Sequence, residues 1–206
     1  MLWIFVPIVL LISISSRTAA ESQTPPSNLP TVPPGVFNAS SSIIINAPLE
    51  VVREVLLDFP SYSEWNPFVR SQVVTDSLYI PLRNQTPQEN LRLAITVQIP
   101  PLQPPVTSST PPNPLNAQMS RENITTIDYV INRFSWQSTI PSPLLINATR
   151  WSALSVVGDG TYYESREVFD GPLAETVKKL YGVGLQEGYV AQGVAMKERA
   201  EGMVLK

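Results

Sequence analysis

Between residues 91 and 99 the apolar side chains Leu91, Leu93, Ile95, Val97 and Ile99 alternate with Arg92, Ala94, Thr96 and Gln98. This period of two predicts a strand with one buried face. The β-branched triplet Ile43-Ile44-Ile45, framed by serines and by Asn46-Ala47-Pro48, predicts another strand over residues 37–46. Residues 69–76, 123–140, 147–157 and 161–169 read the same way, and Val157-Gly158-Asp159-Gly160 is a reverse-turn signal that joins the last two as an antiparallel hairpin. Twice the period lengthens. After Pro48, residues Leu49, Val52, Val55, Leu56 and Phe59 recur at three- and four-residue spacing, predicting a short amphipathic helix that stops before Pro60. From Leu173 to Met203 no proline intervenes, and Leu173, Val177, Leu180, Tyr181, Leu185, Tyr189 and Ala195 follow a period near 3.6, predicting a long carboxy-terminal helix. Ser61 to Phe68 is dense in turn formers and predicts one more helical turn followed by a bend.

The terminal helix carries Gly182, Gly184, Gly188 and Gly193, each costing roughly 1 kcal/mol relative to alanine in a helix interior. Two readings stand side by side: these positions face a cavity or a closely approaching sheet, or they mark a break near residues 182–188. Residues 100–118 hold seven prolines and no charge, predicting a long irregular insertion between strands that borders a site. Residues 21–36 are rich in proline, serine and threonine and predict a disordered leader.

Ahead of the leader, the uncharged apolar run from Leu2 to Ile14 is too short for a spanning helix of about 20 residues and reads as the core of a signal peptide. Thr18-Ala19-Ala20 supplies the small residues of a cleavage site before Glu21, so residues 1–20 are expected to be removed and the chain secreted, with no stable membrane span left. Arg17 gives the alternative, an uncleaved amino-terminal anchor. Acceptor tripeptides for N-glycosylation begin at Asn38, Asn84, Asn123 and Asn147, the second weakened by Pro87.

Composition narrows the chemistry. Apolar residues make up 43% and charged ones 15% of 206 residues, too hydrophobic for a disordered chain and consistent with one domain over residues 37–206. A formal charge of −3 provides no field for phosphate backbones, so nucleic acid is not an expected partner. The chain has no histidine and no cysteine. That removes Ser-His-Asp and Cys-His nucleophiles and the imidazole and thiolate zinc sites, and the scattered acids show no metal spacing. No cofactor is implied.

The order strand, helix, short helix, antiparallel strands, long terminal helix is an α+β pattern in which one sheet buries its face against one helix. Ile43-Ile44-Ile45-Asn46-Ala47-Pro48-Leu49-Glu50-Val51-Val52 and Leu57-Asp58-Phe59-Pro60-Ser61-Tyr62-Ser63-Glu64-Trp65-Asn66-Pro67-Phe68 resemble the opening of START-like (SRPBCC) proteins of the polyketide cyclase/dehydrase type. Gly158-Asp159-Gly160-Thr161-Tyr162-Tyr163-Glu164-Ser165-Arg166-Glu167-Val168-Phe169 resembles their last hairpin, and Ala195-Met196-Lys197-Glu198-Arg199-Ala200-Glu201 the end of their last helix. The resemblance implies a helix-grip fold, a curved antiparallel sheet wrapped around the long helix, with an apolar cavity for a small hydrophobic molecule. Many of these proteins carry a histidine near the start of the penultimate strand, where this chain has Ala148-Thr149-Arg150-Trp151-Ser152, so any mechanism requiring that imidazole is absent.

Binding without catalysis is therefore the leading expectation, and a cyclase or dehydratase using cavity carboxylate, Tyr and Arg groups the alternative. Trp65 and Phe68 are candidates for a pocket mouth, with packing at the bend as the plainer reading. Trp136, Trp151, Phe169 and Tyr189 lie on elements that must face each other across a cavity, although strand register decides which of them line it. Arg150 and Glu167 read first as an exposed cross-strand ion pair and second as groups that orient a ligand. Tyr163 and its neighbour Glu164 offer a phenol and a carboxylate, but consecutive strand residues point to opposite faces.

Overall fold

The computed structural model describes residues 25–205. The predicted signal segment and its cleavage site lie outside the described residues. Seven strands form one antiparallel sheet: β1 (Phe37–Ile45), β2 (Val69–Thr75), β3 (Arg92–Gln98), β4 (Ala117–Asp128), β5 (Arg133–Ser138), β6 (Asn147–Val157) and β7 (Gly160–Asp170). Their order is β1-β7-β6-β5-β4-β3-β2, so the chain crosses from one edge to the other between β1 and β2 and then returns strand by strand. The crossing is made by α1 (Leu49–Leu57), a 3-10 turn (Phe59–Ser61) and α2 (Tyr62–Trp65). The last element, α3 (Ala174–Val204), is a single helix of 31 residues.

Local chemistry explains these boundaries. Pro48 precedes α1 and its carbonyl accepts from Val51 and Val52, starting the helix without needing an N–H of its own. Asn66 is fully buried at the bend after α2, where its Oδ1 accepts from the backbone N–H groups of Phe68 and Val69 at 3.0 and 2.9 Å. That side-chain cap turns the chain into β2. Val52, Val55 and Leu56 of α1, with Phe59 and Tyr62, form the closed end of the core, where Phe59 meets Trp136 edge-on at 5.9 Å. Arg199 of α3 pairs with Glu64 of α2 at 2.8 Å.

Three expectations need correction. The single strand expected over residues 123–140 is two strands, β4 and β5, joined by an exposed turn at residues 129–132. Asp128 Oδ1 accepts from the N–H groups of Val130 and Ile131, and Asn132 takes a left-handed conformation with φ of 54°. Turn chemistry thus overrides the β-propensity of Tyr129, Val130 and Ile131.

Of the two readings of the terminal glycines, the break is not present, since α3 runs unbroken from Ala174 to Val204, and the close approach holds. An added Cβ at Gly184 would lie 2.7 Å from Ile99 Cγ2, at Gly188 2.6 Å from Phe68 Cε2, and at Gly193 2.5 Å from Ser41 Oγ. These glycines let α3 approach β1, the bend before β2 and the end of β3.

The disordered leader, finally, is ordered over part of its length. Asn28 N–H donates to Glu164 Oε2 at 2.8 Å, Asn28 Nδ2 to the carbonyls of Ile131 and Leu154, Arg133 Nε to the Asn28 carbonyl at 2.6 Å, and Arg166 to the Pro30 carbonyl at 2.8 Å. The leader lacks apolar mass, but hydrogen bonds to charged side chains of the outer sheet face hold it.

Candidate functional site

A cavity of about 290 Å³ lies between α3 and the inner face of the sheet. Strand alternation determines its lining. Ile95 and Val97 of β3, Trp136 of β5, Ala148 of β6 and Phe169 of β7 turn inward, and Val177, Tyr181 and Leu185 of α3 close the opposite wall. Phe68 reaches in from the bend before β2, and Ile140, Pro141 and Ile146 from the β5–β6 connection. Of the proline-rich insertion, only Gln118 at its base contributes, together with Ile99 just before it.

Into this apolar wall the sheet inserts a polar cluster. Arg150 of β6 is 6% exposed and sits opposite Glu167 of β7 in the register. The expected exposed ion pair does not form: both side chains face inward, and among the described residues no carboxylate lies within salt-bridge distance of Arg150. Instead Arg150 donates to Gln192 Oε1 at 3.0 Å and to Ser165 Oγ at 3.2 Å, and its guanidinium lies 4.5 Å from the Tyr189 ring centroid and 5.8 Å from that of Trp136. Glu167 accepts a 2.6 Å hydrogen bond from the Tyr189 hydroxyl. Glu122 of β4 is 7% exposed and accepts from Ser120 Oγ at 2.7 Å. Gln72 of β2 completes the cluster, its amide nitrogen without a partner.

Burial governs the ionisation of this cluster. It pushes the Glu122 carboxyl up to about 8, assisted by the nearby Glu167 and opposed by the Ser120 hydrogen bond and by Arg150. Glu167 is also raised by burial, against the Tyr189 hydrogen bond and Arg150. Tyr189 is raised by burial above the ordinary phenol range. For Arg150 burial acts downward, but Tyr189, Tyr163 and Glu167 more than offset it and hold the guanidinium charged. At neutral pH the cluster therefore retains a proton on Glu122, which makes that carboxyl a hydrogen-bond donor as well as an acceptor.

The structure brings Phe68, Trp136, Arg150, Glu167 and Phe169 together on the cavity wall. Tyr189 stands behind them, its ring 5.7 Å from that of Phe68. Trp65 and Tyr163 do not line the cavity: both are buried in the core, Trp65 edge-on to Tyr62 at 5.0 Å. Trp151 points the other way, onto the outer face, into a groove shared with Val32, Pro33 and Gly35 of the leader. Neither Glu122 nor Gln72 is foreseen from sequence. Glu122 falls one residue before the strand expected from sequence, and the alternation Ser120, Glu122, Ile124 is the signal that places it inward once β4 is known to begin at Ala117.

Asn38, Asn84 and Asn147 are exposed and Asn123 half-buried. Asn147 Oδ1 accepts from Gln137 Nε2 at 2.7 Å and Asn84 Oδ1 from the Thr86 N–H. Among the described residues no group of acids could hold a metal ion, and no helix is long and apolar enough to cross a membrane.

The sheet, the gripped terminal helix and the cavity between them define the helix-grip fold of START-like proteins, and solved structures bear this out. A START superfamily protein from Mycobacterium smegmatis superposes with a TM-score of 0.52 at 15% identity, covering 81% of this chain and 98% of its own. The ginseng major latex-like protein 151 from Panax ginseng gives 0.54 at 11%, covering 82% and 97%. A hypothetical protein from Helicobacter pylori gives 0.59 at 9%, covering 87% and 98%. No family model and no curated protein matches the sequence.

Proposed function

We propose that this chain is a secreted binding protein that holds a small hydrophobic molecule in the cavity between α3 and the sheet. The observation that carries the reading is the cavity itself: about 290 Å³ of space walled by aromatic and aliphatic side chains, with its polar groups gathered in one cluster. Ligand sites share that composition, and the volume lies near the lower end of their ~300–1,000 Å³ range, which suits one ring system or a short chain better than a two-chain lipid. Apolar burial supplies the affinity and the polar cluster the orientation.

Thermal unfolding with panels of fatty acids, sterols and polyketide-like aromatics tests the reading. A ligand at a hundred times its Kd stabilises the native state by about 2.7 kcal/mol, a rise in Tm of roughly 5–10 °C for a chain of this size. Ala148→Phe, which fills part of the cavity, is expected to abolish the rise. No shift with any class would sink the proposal. Secretion is tested separately, by expression through a secretory pathway and sequencing of the mature amino terminus, expected at Glu21. An intact chain retained on membranes would indicate the anchor instead.

A second reading, acid–base catalysis of the cyclase or dehydratase kind, is favoured by one feature: two carboxyls, Glu122 and Glu167, line the same cavity, and burial pushes Glu122 up to about 8. Turnover of a bound polyketide that is lost in Glu122→Gln with the fold intact would support it, and binding without conversion would dismiss it.

A further inference from the structure

Arg150 is a buried cation without a counter-ion. It lies on the cavity wall, 6% exposed, and among the described residues no carboxylate comes within salt-bridge distance of it. Its hydrogen bonds go to neutral groups, from Nε to Ser165 Oγ at 3.2 Å and from Nη2 to Gln192 Oε1 at 3.0 Å. Nη1 makes no hydrogen bond among the described residues, yet it is not sealed off as the unpartnered Gln72 Nε2 is. Glu167, its register partner on β7, turns Oε2 to the Tyr189 hydroxyl instead, and burial raises that carboxyl, which weakens it as a counter-ion. A charge held in a low-dielectric wall is costly unless it is paired. The folded chain therefore keeps an unmet attraction for an anion, facing an apolar space.

Building on the hydrophobic-ligand reading, we propose that the cavity takes amphipathic monocarboxylic acids, with the apolar body against the α3 wall and the carboxylate received by the Arg150 guanidinium. Ser165, Gln192 and the rings of Tyr189 and Trp136 already orient the guanidinium, so a guest does not have to immobilise it. The bond from a guanidinium N–H to a carboxylate is of the stronger, charge-assisted kind. Glu122 assists rather than opposes. Ser120 occupies its Oε1, and the proton that burial keeps on its carboxyl lets it donate to the guest instead of repelling it. A neutral alcohol or ester would leave the cation unpaired, and an ammonium group would be repelled by it.

The experiment is a matched series of decanoate, 1-decanol, methyl decanoate and decylammonium at pH 7, each competing against a neutral solvatochromic dye on the full chain. Decanoate is expected to bind at least about tenfold more tightly than the alcohol and the ester, and decylammonium most weakly. Arg150→Gln is expected to remove the preference, bringing decanoate to within about threefold of decanol, whereas Arg150→Lys, which keeps the charge, retains part of it. The parent chain's own preference decides the matter even where a variant fails to fold. Equal affinity of the parent for decanoate and decanol, or a preference that survives Arg150→Gln, overturns carboxylate recognition by Arg150 and leaves hydrophobic binding standing. If neither the dye nor any of the four binds, the hydrophobic-ligand reading itself fails.

Discussion

The Tyr189 hydroxyl on α3 donates a 2.6 Å hydrogen bond to Glu167 Oε2 on β7, fastening the terminal helix to the sheet at the polar end of the cavity. Because the Tyr189 ring also stacks against the Arg150 guanidinium, one side chain supports both Glu167 and Arg150. Tyr189→Phe keeps the ring and removes the hydroxyl. The expected loss is about 0.5–1.5 kcal/mol, the range for a net intramolecular hydrogen bond, read as a lower urea midpoint with an unchanged m-value. An unchanged midpoint would mean that the bond does not fasten the helix.

Glu122 makes stability depend on pH in a direction opposite to that of most carboxylates. Its folded-state value of about 8 lies above its ordinary 4.5, so between those values the folded chain binds a proton that the unfolded chain has lost. Stability is then greatest below about pH 4.5, falls as pH rises, and levels off once Glu122 ionises in the fold, with a slope near 1.4 kcal/mol per pH unit for one proton. Glu167 is raised too and adds in the same sense. Arg150 and Tyr189, the other ionising groups of the cluster, stay protonated through this window. Urea unfolding from pH 5 to 8 is expected to show the decline in the parent chain and a flatter profile in Glu122→Gln. Equal slopes would remove Glu122 as the cause.

The elements of the sheet were legible because alternation and turn chemistry are local. Leu93 and Ile95 mark an inner face without any knowledge of their partners, and Gly158-Asp159-Gly160 closes its hairpin on its own. The site was less legible because it is assembled across strands. Arg150 and Glu167 are correctly read as cross-strand neighbours, but only the position of α3 places that face inside the molecule. Trp151 shows the same limit from the other side: a shift of one residue in the sequence exchanges the cavity for the outer groove. Gln72 and Glu122 are passed over because a polar residue at an inward position looks like a surface residue until the register of β2 and β4 is known.

Two glycines of α3 are expected to respond in opposite ways to the same substitution. At Gly188 a Cβ would press on the Phe68 ring, 2.6 Å from Cε2, and Phe68 is itself buried and part of the cavity wall. At Gly182 the nearest atom is Lys178 Cγ at 3.6 Å, an ordinary contact on a flexible side chain. Gly182→Ala should stabilise by up to about 1 kcal/mol through helix propensity. Gly188→Ala should destabilise by roughly 1–3 kcal/mol through overpacking, less what propensity returns. Thermal melts of the two variants decide the matter; a stabilised Gly188→Ala would show that Phe68 yields easily and that the close approach is not what glycine provides there.

The leader makes its own contribution, concentrated at Asn28. Its side chain donates to the Ile131 carbonyl at 2.7 Å and to the Leu154 carbonyl at 3.1 Å, and its Oδ1 lies 3.2 Å from Arg133 Nε. Asn28→Ala leaves the backbone bonds to Glu164 and Arg133 intact while removing those made by the amide. Since the bonds are partly solvent-exposed, the expected cost is about 1–2 kcal/mol rather than the larger penalty of a deeply buried group. Hydrogen exchange gives the sharper reading: protection should fall in residues 27–36 and at the β4–β5 turn, while β6 and β7 stay protected as parts of the central sheet. Loss of protection across the whole sheet would make the leader an integral part of the cooperative core. No change anywhere would mean that it rests on the sheet without stabilising it.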